Sequence, residues 1–320
     1  MKHSLLQQLL PDALRQRLSI LIFHRVLDAK DAMMPSEPSR EEFEWMMALL
    51  RRRFNPMPLH EALTRLNTGS LPPLSVCVTF DDGYRDNLIN ALPIMERHDV
   101  PGTIFVSTGS LDGGRMWNDT VTEAVRRWPE AQLDLSGFDL GVYAVNSIEE
   151  KRQAAQAINS RVKYFGAGAK AAVIDFLQDR SKDLPDNLML KSEEVRELTR
   201  RGVEIGAHTV SHPILAELSS DDSVQEIVRS KSTLETITNG PIRLFAYPNG
   251  KANTDYSAAN VAQCREAGFD YALSTNWGVA TPESHQFEVP RFTPWDRAPA
   301  KFGLRLVQNL LRTRSELAAL

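Results

Sequence analysis

The chain has 320 residues, 42% hydrophobic and 24% charged, enough for one large core and ordinary for a globular protein in water. Thirty-seven Lys and Arg against 41 Asp and Glu leave a net charge of −4, so no overall basic field recruits nucleic acid. Its two cysteines, Cys77 and Cys264, lack CxxC spacing and read as packing residues in a reducing compartment.

At the N-terminus, Leu5, Leu6, Leu9 and Leu10 mimic a secretion signal, but Gln7, Gln8, Pro11, Asp12 and Arg15 interrupt it and no cleavage site follows. No apolar run approaches the roughly 20 residues of a membrane span. The expected location is therefore the cytoplasm. Short β-rich runs then alternate with amphipathic stretches, the pattern of a parallel α/β architecture. Strands are expected at Ser19–Phe23, Ser75–Phe80, Gly102–Ser107, Val203–Ala207, Ile242–Tyr247, Tyr271–Ser274 and Phe287–Arg291. Helices are expected at Glu41–Phe54, Asn87–His98, Ser192–Arg201, Asp221–Thr238 and Ser257–Ala267, with Ser192 and the acids after it resembling a capped start.

Residues 110–190 break the alternation and read as an insertion capping one single domain that spans 1–320. At the end, Phe302, Leu306, Leu310 and Leu317 share a face of an amphipathic helix over 301–320. That helix packs on the domain or, with its basic flanks, lies against an anionic inner membrane surface.

Polar residues collect where strands end. His24 follows the first strand, Asp81-Asp82-Gly83 the second and His208 the fourth. Pro248-Asn249-Gly250 follows the fifth, and Arg291 closes the last. In a barrel of parallel strands all these ends share one rim, which favours a barrel over an open sheet. One carboxylate and two imidazoles, Asp82, His208 and His212, suit a divalent metal that keeps an open position. Asp81, the spare carboxylate next door, suits a base that deprotonates water there. Pro213 after His212 makes a tight loop the expectation, in preference to a helix carrying both histidines.

Thr79-Phe80-Asp81-Asp82-Gly83 and His208-Thr209-Val210-Ser211-His212 resemble the first two motifs of the polysaccharide deacetylases, the NodB-homology family of carbohydrate esterases. The stretch Ser75–Thr108 matches that family's strand–motif–helix–strand opening, and the resemblance covers about 20–295 without much of the insertion. It implies a distorted (β/α)7 barrel and metal-dependent removal of acetyl groups from a sugar. Carried over, Asp81 is the general base, and Asp82, His208 and His212 are the ligands of a divalent metal. Zinc suits this set, with cobalt, nickel and iron open. Phe245–Gly250 resembles the third motif, with the Asn249 N–H as oxyanion donor. Here Ala246 and Asn249 depart from the arginine and tyrosine common in the family. No C-terminal histidine motif is present, and the chain resembles members circularly permuted so that this motif comes first. His24 is then the general acid, and Arg291 replaces the missing arginine by pairing with Asp81.

Trp117, Trp277 and Trp295, with Tyr247 and Pro248, are candidate substrate contacts. The implied reaction is hydrolysis of the N-acetyl group of an amino sugar in a surface-polysaccharide or glycan precursor. Rival readings are a carbohydrate-binding protein on a decayed scaffold, and a deformylase or amidase acting on another small molecule.

Overall fold

The computed structural model describes residues 16–311. In chain order the elements are β1 (Ser19–Phe23), α1 (Arg40–Arg53), β2 (Asn55–Pro56), α2 (Leu59–Asn67), β3 (Ser75–Phe80), α3 (Leu92–Arg97) and β4 (Gly102–Val106). The insertion holds α4 (Trp117–Arg127), β5 (Gln132–Asp134), β6 (Val142–Ala144), α5 (Ile148–Val162) and α6 (Ala167–Arg180). Then come α7 (Ser192–Arg200), β7 (Glu204–Ala207), α8 (Ser220–Thr238), β8 (Leu244–Ala246), α9 (Ala258–Glu266), β9 (Tyr271–Trp277), β10 (Val289–Arg291) and α10 (Pro299–Leu310).

Parallel strands run β1-β3-β4-β7-β8-β9-β10, with short β2 beside the start of β3. Just past β10 the ring closes on β1: Phe292 N–H donates to the Ile20 carbonyl at 2.8 Å and Ile22 N–H to the Phe292 carbonyl at 2.9 Å. The result is the nearly closed, seven-stranded (β/α)7 barrel expected from the sequence.

Strand alternation divides the core in two. Ile20, Cys77, Phe105, Leu244 and Leu273 form one cluster, which continues onto Leu59, Leu63 and Leu66 of α2. Glu204, at the start of β7, accepts the Leu59 N–H at 2.8 Å, so α2 stoppers the amino-terminal end of the barrel. Leu21, Phe80, Val106 and Phe245 belong to the other cluster, against the surrounding helices. Gly206 is needed inside: a Cβ there would meet the Phe105 ring at 2.4 Å. Both cysteines are buried free thiols.

The insertion is helix–hairpin–helix–helix with its own apolar cluster, built on Val121, Val125, Trp128, Leu133, Ile158 and Leu177. It leaves the barrel after β4 and returns beside Gly83: Leu190 N–H donates to the Gly83 carbonyl at 3.0 Å. Helices α5 and α6 are separated by a break before Ala167. One sequence expectation is corrected nearby. Ser192 is the first residue of α7, with its N–H and hydroxyl both held by Asp112.

At the other end of the chain, Phe302, Leu306 and Leu310 of α10 are buried on the barrel. The rest of the expected terminal helix, 312–320, lies outside the described residues, as does the signal-like segment 1–15. No helix among the described residues is long and apolar enough to cross a membrane.

Candidate metal centre and active site

β3 delivers Phe80 to the rim, and the chain turns sharply through Asp82 (φ 75°) and Gly83 (φ 87°). That left-handed turn, uncommon for a side chain other than glycine, presents Asp82 at the mouth of the barrel. β7 ends one strand beyond β4, and its loop takes a similar course, with Thr209 at φ 65° and His212 at φ 55°. His208 and His212 come within 4.9 Å, ring to ring, from an irregular loop rather than a helix. Asp82 Oδ1 lies 3.5 Å from His208 Nε2 and 3.3 Å from His212 Nε2.

These separations suit a shared cation. Ligands about 2.0–2.2 Å from a tetrahedral zinc lie roughly 3.3–3.6 Å apart. One ligand atom from each residue falls within 4.8 Å of the others. His208 Nδ1 lies 2.7 Å from the Ala246 carbonyl, an obligate acceptor, so the proton is on Nδ1 and Nε2 offers its lone pair. Asp82 Oδ1 is buried without a hydrogen-bond donor, a costly state that a cation would relieve. Burial, opposed by Asp82 and reinforced by His208, pushes the His212 pKa down to about 4, which keeps that imidazole neutral and able to ligate. Burial would raise the Asp82 pKa, but His212, His208 and His24 hold the carboxyl well below its usual range. The triad fits a divalent metal.

Asp81 turns the other way, into the barrel. Arg291, fully buried, grips it with both terminal nitrogens at 2.7 and 2.8 Å. Arg291 also donates from Nε to the Ser274 carbonyl at 3.0 Å. Burial opposes ionisation of Asp81, yet Arg291 and His208 keep its pKa below the ordinary carboxylate value. The pairing of Arg291 with Asp81 is the one expected from the sequence.

His24 caps β1 at the same rim, with its side chain exposed to solvent at the mouth. Its backbone is strapped down. Asn87 donates to the His24 carbonyl at 2.9 Å and Asn90 to the Val26 carbonyl at 2.8 Å, while Asp86 takes the Val26 N–H. The π turn Asn87–Ala91, where Pro93 disturbs the start of α3, carries both asparagines. Surrounding protein draws the His24 pKa down, but Asp82, Glu37 and Asp81 more than offset this and leave it raised.

After β8, Asn249 takes φ 55° and its N–H finds no acceptor among the described residues. Gly250 is obligatory here, because a Cβ would press to 2.9 Å on Thr275 and on the Tyr247 carbonyl. Tyr247 is corrected as a substrate contact. Strand alternation turns it with Phe245 toward the helices, where it is fully buried, stacks on Tyr256 at 3.9 Å and donates to the Phe287 carbonyl. Pro248 is buried as well and supplies the carbonyl of the Gly250 turn. Of the tryptophans, Trp295 is 48% exposed. Trp277 packs edge-on against it at 4.6 Å and donates to Asn309. Trp117 stands apart on the insertion, half-buried beneath Lys170.

Residues 68–137 and 138–272 match the sequence pattern of the family described as Polysaccharide deacetylase. This chain belongs to that family. A protein of Bacillus subtilis (strain 168), named "Putative polysaccharide deacetylase YxkH", is 18% identical over 276 residues, 86% of this chain and 70% of its own. The Streptococcus pyogenes deacetylase PplD in complex with acetate superposes with a TM-score of 0.61 at 17% identity, over 92% of this chain and 98% of its own. IcaB from Ammonifex degensii gives 0.60 at 19% identity, over 92% and 97%. At these identities the two structures speak for the fold.

A residue that holds the His212 loop also escaped the sequence reading. Glu226 of α8 accepts the N–H groups of Val210 and Ser211, both at 2.8 Å, and the Ser211 hydroxyl at 2.7 Å. It therefore fixes the loop that carries His212. No local pattern marks it, since it stands 16 residues beyond Val210 and bonds backbone.

Proposed function

We propose that this member of the family is a metal-dependent N-deacetylase of amino sugars in a surface-polysaccharide or glycan precursor, releasing acetate. One observation carries the reading: Asp82, His208 and His212 meet at a buried carboxylate oxygen that lacks a donor, with Asp81 ionised beside them. A divalent cation held by those three, zinc by its donor set, would polarise the acetyl carbonyl and make water acidic near pH 7.

The chain's own groups divide the remaining work. Asp81 accepts the proton of the attacking water. Arg291 keeps that carboxylate ionised and weakly basic at rest, so it takes the proton as attack proceeds rather than before it. The Asn249 N–H donates to the carbonyl oxygen as charge builds there, a contribution of about 2.7–4 kcal/mol for such donors. His24, whose raised pKa favours the protonated form, gives its proton to the departing nitrogen and leaves a free amine. Trp295, and Trp277 behind it, offer a rim surface to the sugar.

Acetate release from a panel of polymeric and lipid-linked N-acetyl sugars, with chelation and metal add-back, tests this. Release that chelation leaves untouched would refute the metal's part, and failure on every N-acetyl sugar would refute the substrate class. For location we propose the cytoplasm, with peripheral membrane contact through α10. Its Leu304 and Val307, and Leu311 just past its end, are exposed. Co-flotation with anionic liposomes, lost in L304S/V307S, is the expected result; no co-flotation would remove the membrane from the scheme.

A further inference from the structure

The chain after His24 does not run straight into α1. Its base is pinched between Leu27 and Ser39: the Leu27 N–H donates to the Pro38 carbonyl at 2.9 Å, and the Arg40 N–H to the Leu27 carbonyl at 2.8 Å. Residues 28–38 therefore leave and return as an excursion, and the insertion holds its far end. Met33, only 5% exposed, belongs to the apolar cluster of the insertion. Arg126 of α4 donates from both terminal nitrogens to the two carboxylate oxygens of Asp31, at 3.0 and 2.6 Å. Asp31 also accepts the Met33 N–H at 2.8 Å. A two-bonded pair beside a buried anchor fixes geometry in a way that a single surface ion pair does not.

The returning limb reaches the residue next to His24. Glu37 accepts the Arg25 N–H at 3.2 Å, and Met34 Sδ lies 3.9 Å from Arg25 Nη1. From the barrel side, Asp86 accepts from Arg25 Nε at 2.8 Å, and the Tyr84 ring lies 4.8 Å from the guanidinium. The His24 ring makes no hydrogen bond among the described residues, so the backbone around it sets where its nitrogens stand. A chain of contacts thus runs from α4 through Asp31 and Met33 to Arg25, and so to His24. A reacting group misplaced by about 1 Å can cost on the order of 100-fold in rate, so this chain bears on turnover.

We infer that Met33 and Arg126 are positioning residues for His24, and that the insertion acts on the reaction through the excursion 28–38. The inference rests on the reading of His24 as the acid that protonates the departing nitrogen. It gives the insertion a part in turnover without any contact with the reacting atoms.

That role predicts a split between leaving groups, because an amine needs a proton to depart and 4-nitrophenolate does not. The metal-loaded protein is compared with its Met33→Ala, Met33→Leu, Arg126→Ala and His24→Ala variants. The probes are 4-nitrophenyl acetate and the pentamers of N-acetylglucosamine linked through O4 and through O6. In Met33→Ala and Arg126→Ala the ratio of amide to ester kcat should fall about 10–100-fold, in the direction of His24→Ala, with the amide KM little changed. Met33→Leu, which keeps an apolar anchor, should restore the ratio. A ratio kept in either Met33→Ala or Arg126→Ala, as a general loss of structure would leave it, would overturn the inference. If the wild-type protein cleaves no sugar amide, or His24→Ala keeps the ratio, the reading of His24 as acid fails by itself. The position of the ring is then read by NMR, from the imidazole signal that His24→Ala lacks. Displacement of that signal in Met33→Ala and Arg126→Ala, reversed in Met33→Leu, would sustain the link between insertion and His24, and an unmoved signal would dismiss it.

Discussion

The rim of the barrel and the insertion beside it handle polar groups in opposite ways. At the rim, Asp81, Asp82, His208 and Arg291 are buried, and either doubly bonded, as Asp81 is by Arg291, or left without a donor, as Asp82 Oδ1 is. On the insertion, a separate apolar cluster lies beneath aromatic and cationic side chains that remain partly open to solvent. Chemistry that needs fixed atoms stands on closed strands. Side chains that tolerate adjustment stand on helices added between two of them. Substitutions at the rim should therefore affect turnover or the fold itself, whereas those on the open face of the insertion should affect both less.

The largest effect is expected at the ligands. His208→Ala should abolish both bound metal, counted by elemental analysis after dialysis, and acetate release; retention of either would break the comparison at its centre. His24→Ala should slow turnover by about 10²–10⁴-fold, the range for general acid catalysis, while metal content stays at the wild-type level. Full activity in that variant would remove His24 from the mechanism. Arg291→Ala leaves a buried carboxylate without its partner and should cost about 3–5 kcal/mol in urea unfolding. A loss below about 1 kcal/mol would mean that Asp81 finds another partner.

The joint between the two regions gives the next test. Tyr84, two residues past Asp82, donates to Asp119 of α4 at 3.0 Å, and burial, partly offset by Arg25, pushes the Asp119 pKa up to about 6. A raised carboxyl pKa contributes stability that is complete below the unfolded value of about 3.9 and is lost as pH rises to the folded value. Between those limits Asp119→Asn should flatten the pH dependence of unfolding by on the order of 2–3 kcal/mol. An unchanged profile would place the Asp119 pKa in its normal range. The smallest effect is expected at Glu226→Ala, which should weaken metal binding by about 10–100-fold, with Glu226→Gln intermediate. Wild-type affinity in both would show that the His212 loop holds its shape unaided.

Much of the frame was legible because buried parallel strands read as unbroken apolar runs. β1 and β3 begin and end where the sequence places them. β10 is shorter than expected, since Phe287 and Glu288 belong to a turn that the Glu288 N–H closes on the His285 carbonyl. Helix α2 went unseen: it is only nine residues long, and its first N–H groups are satisfied by Glu204, about 145 residues away in the chain. The candidate metal triad, Asp82, His208 and His212, was legible through its motif. Glu226, Asn87 and Asn90 were not, because a side chain that bonds distant backbone leaves no period and no spacing to find. Tyr247 was misjudged for a simpler reason. A strand ending was read as a rim position without asking which way alternation turns each residue.

The ion pair between Arg291 and Asp81 also has a consequence for synthesis. Its partners are separated by 210 residues, Asp81 just past β3 and Arg291 at the end of β10. A ribosome therefore releases the carboxylate long before the guanidinium that neutralises it. Until the last strand emerges, closing the ring would trap an uncompensated negative charge, so the nascent chain has reason to stay open. The reaction centre then forms only when the barrel is whole.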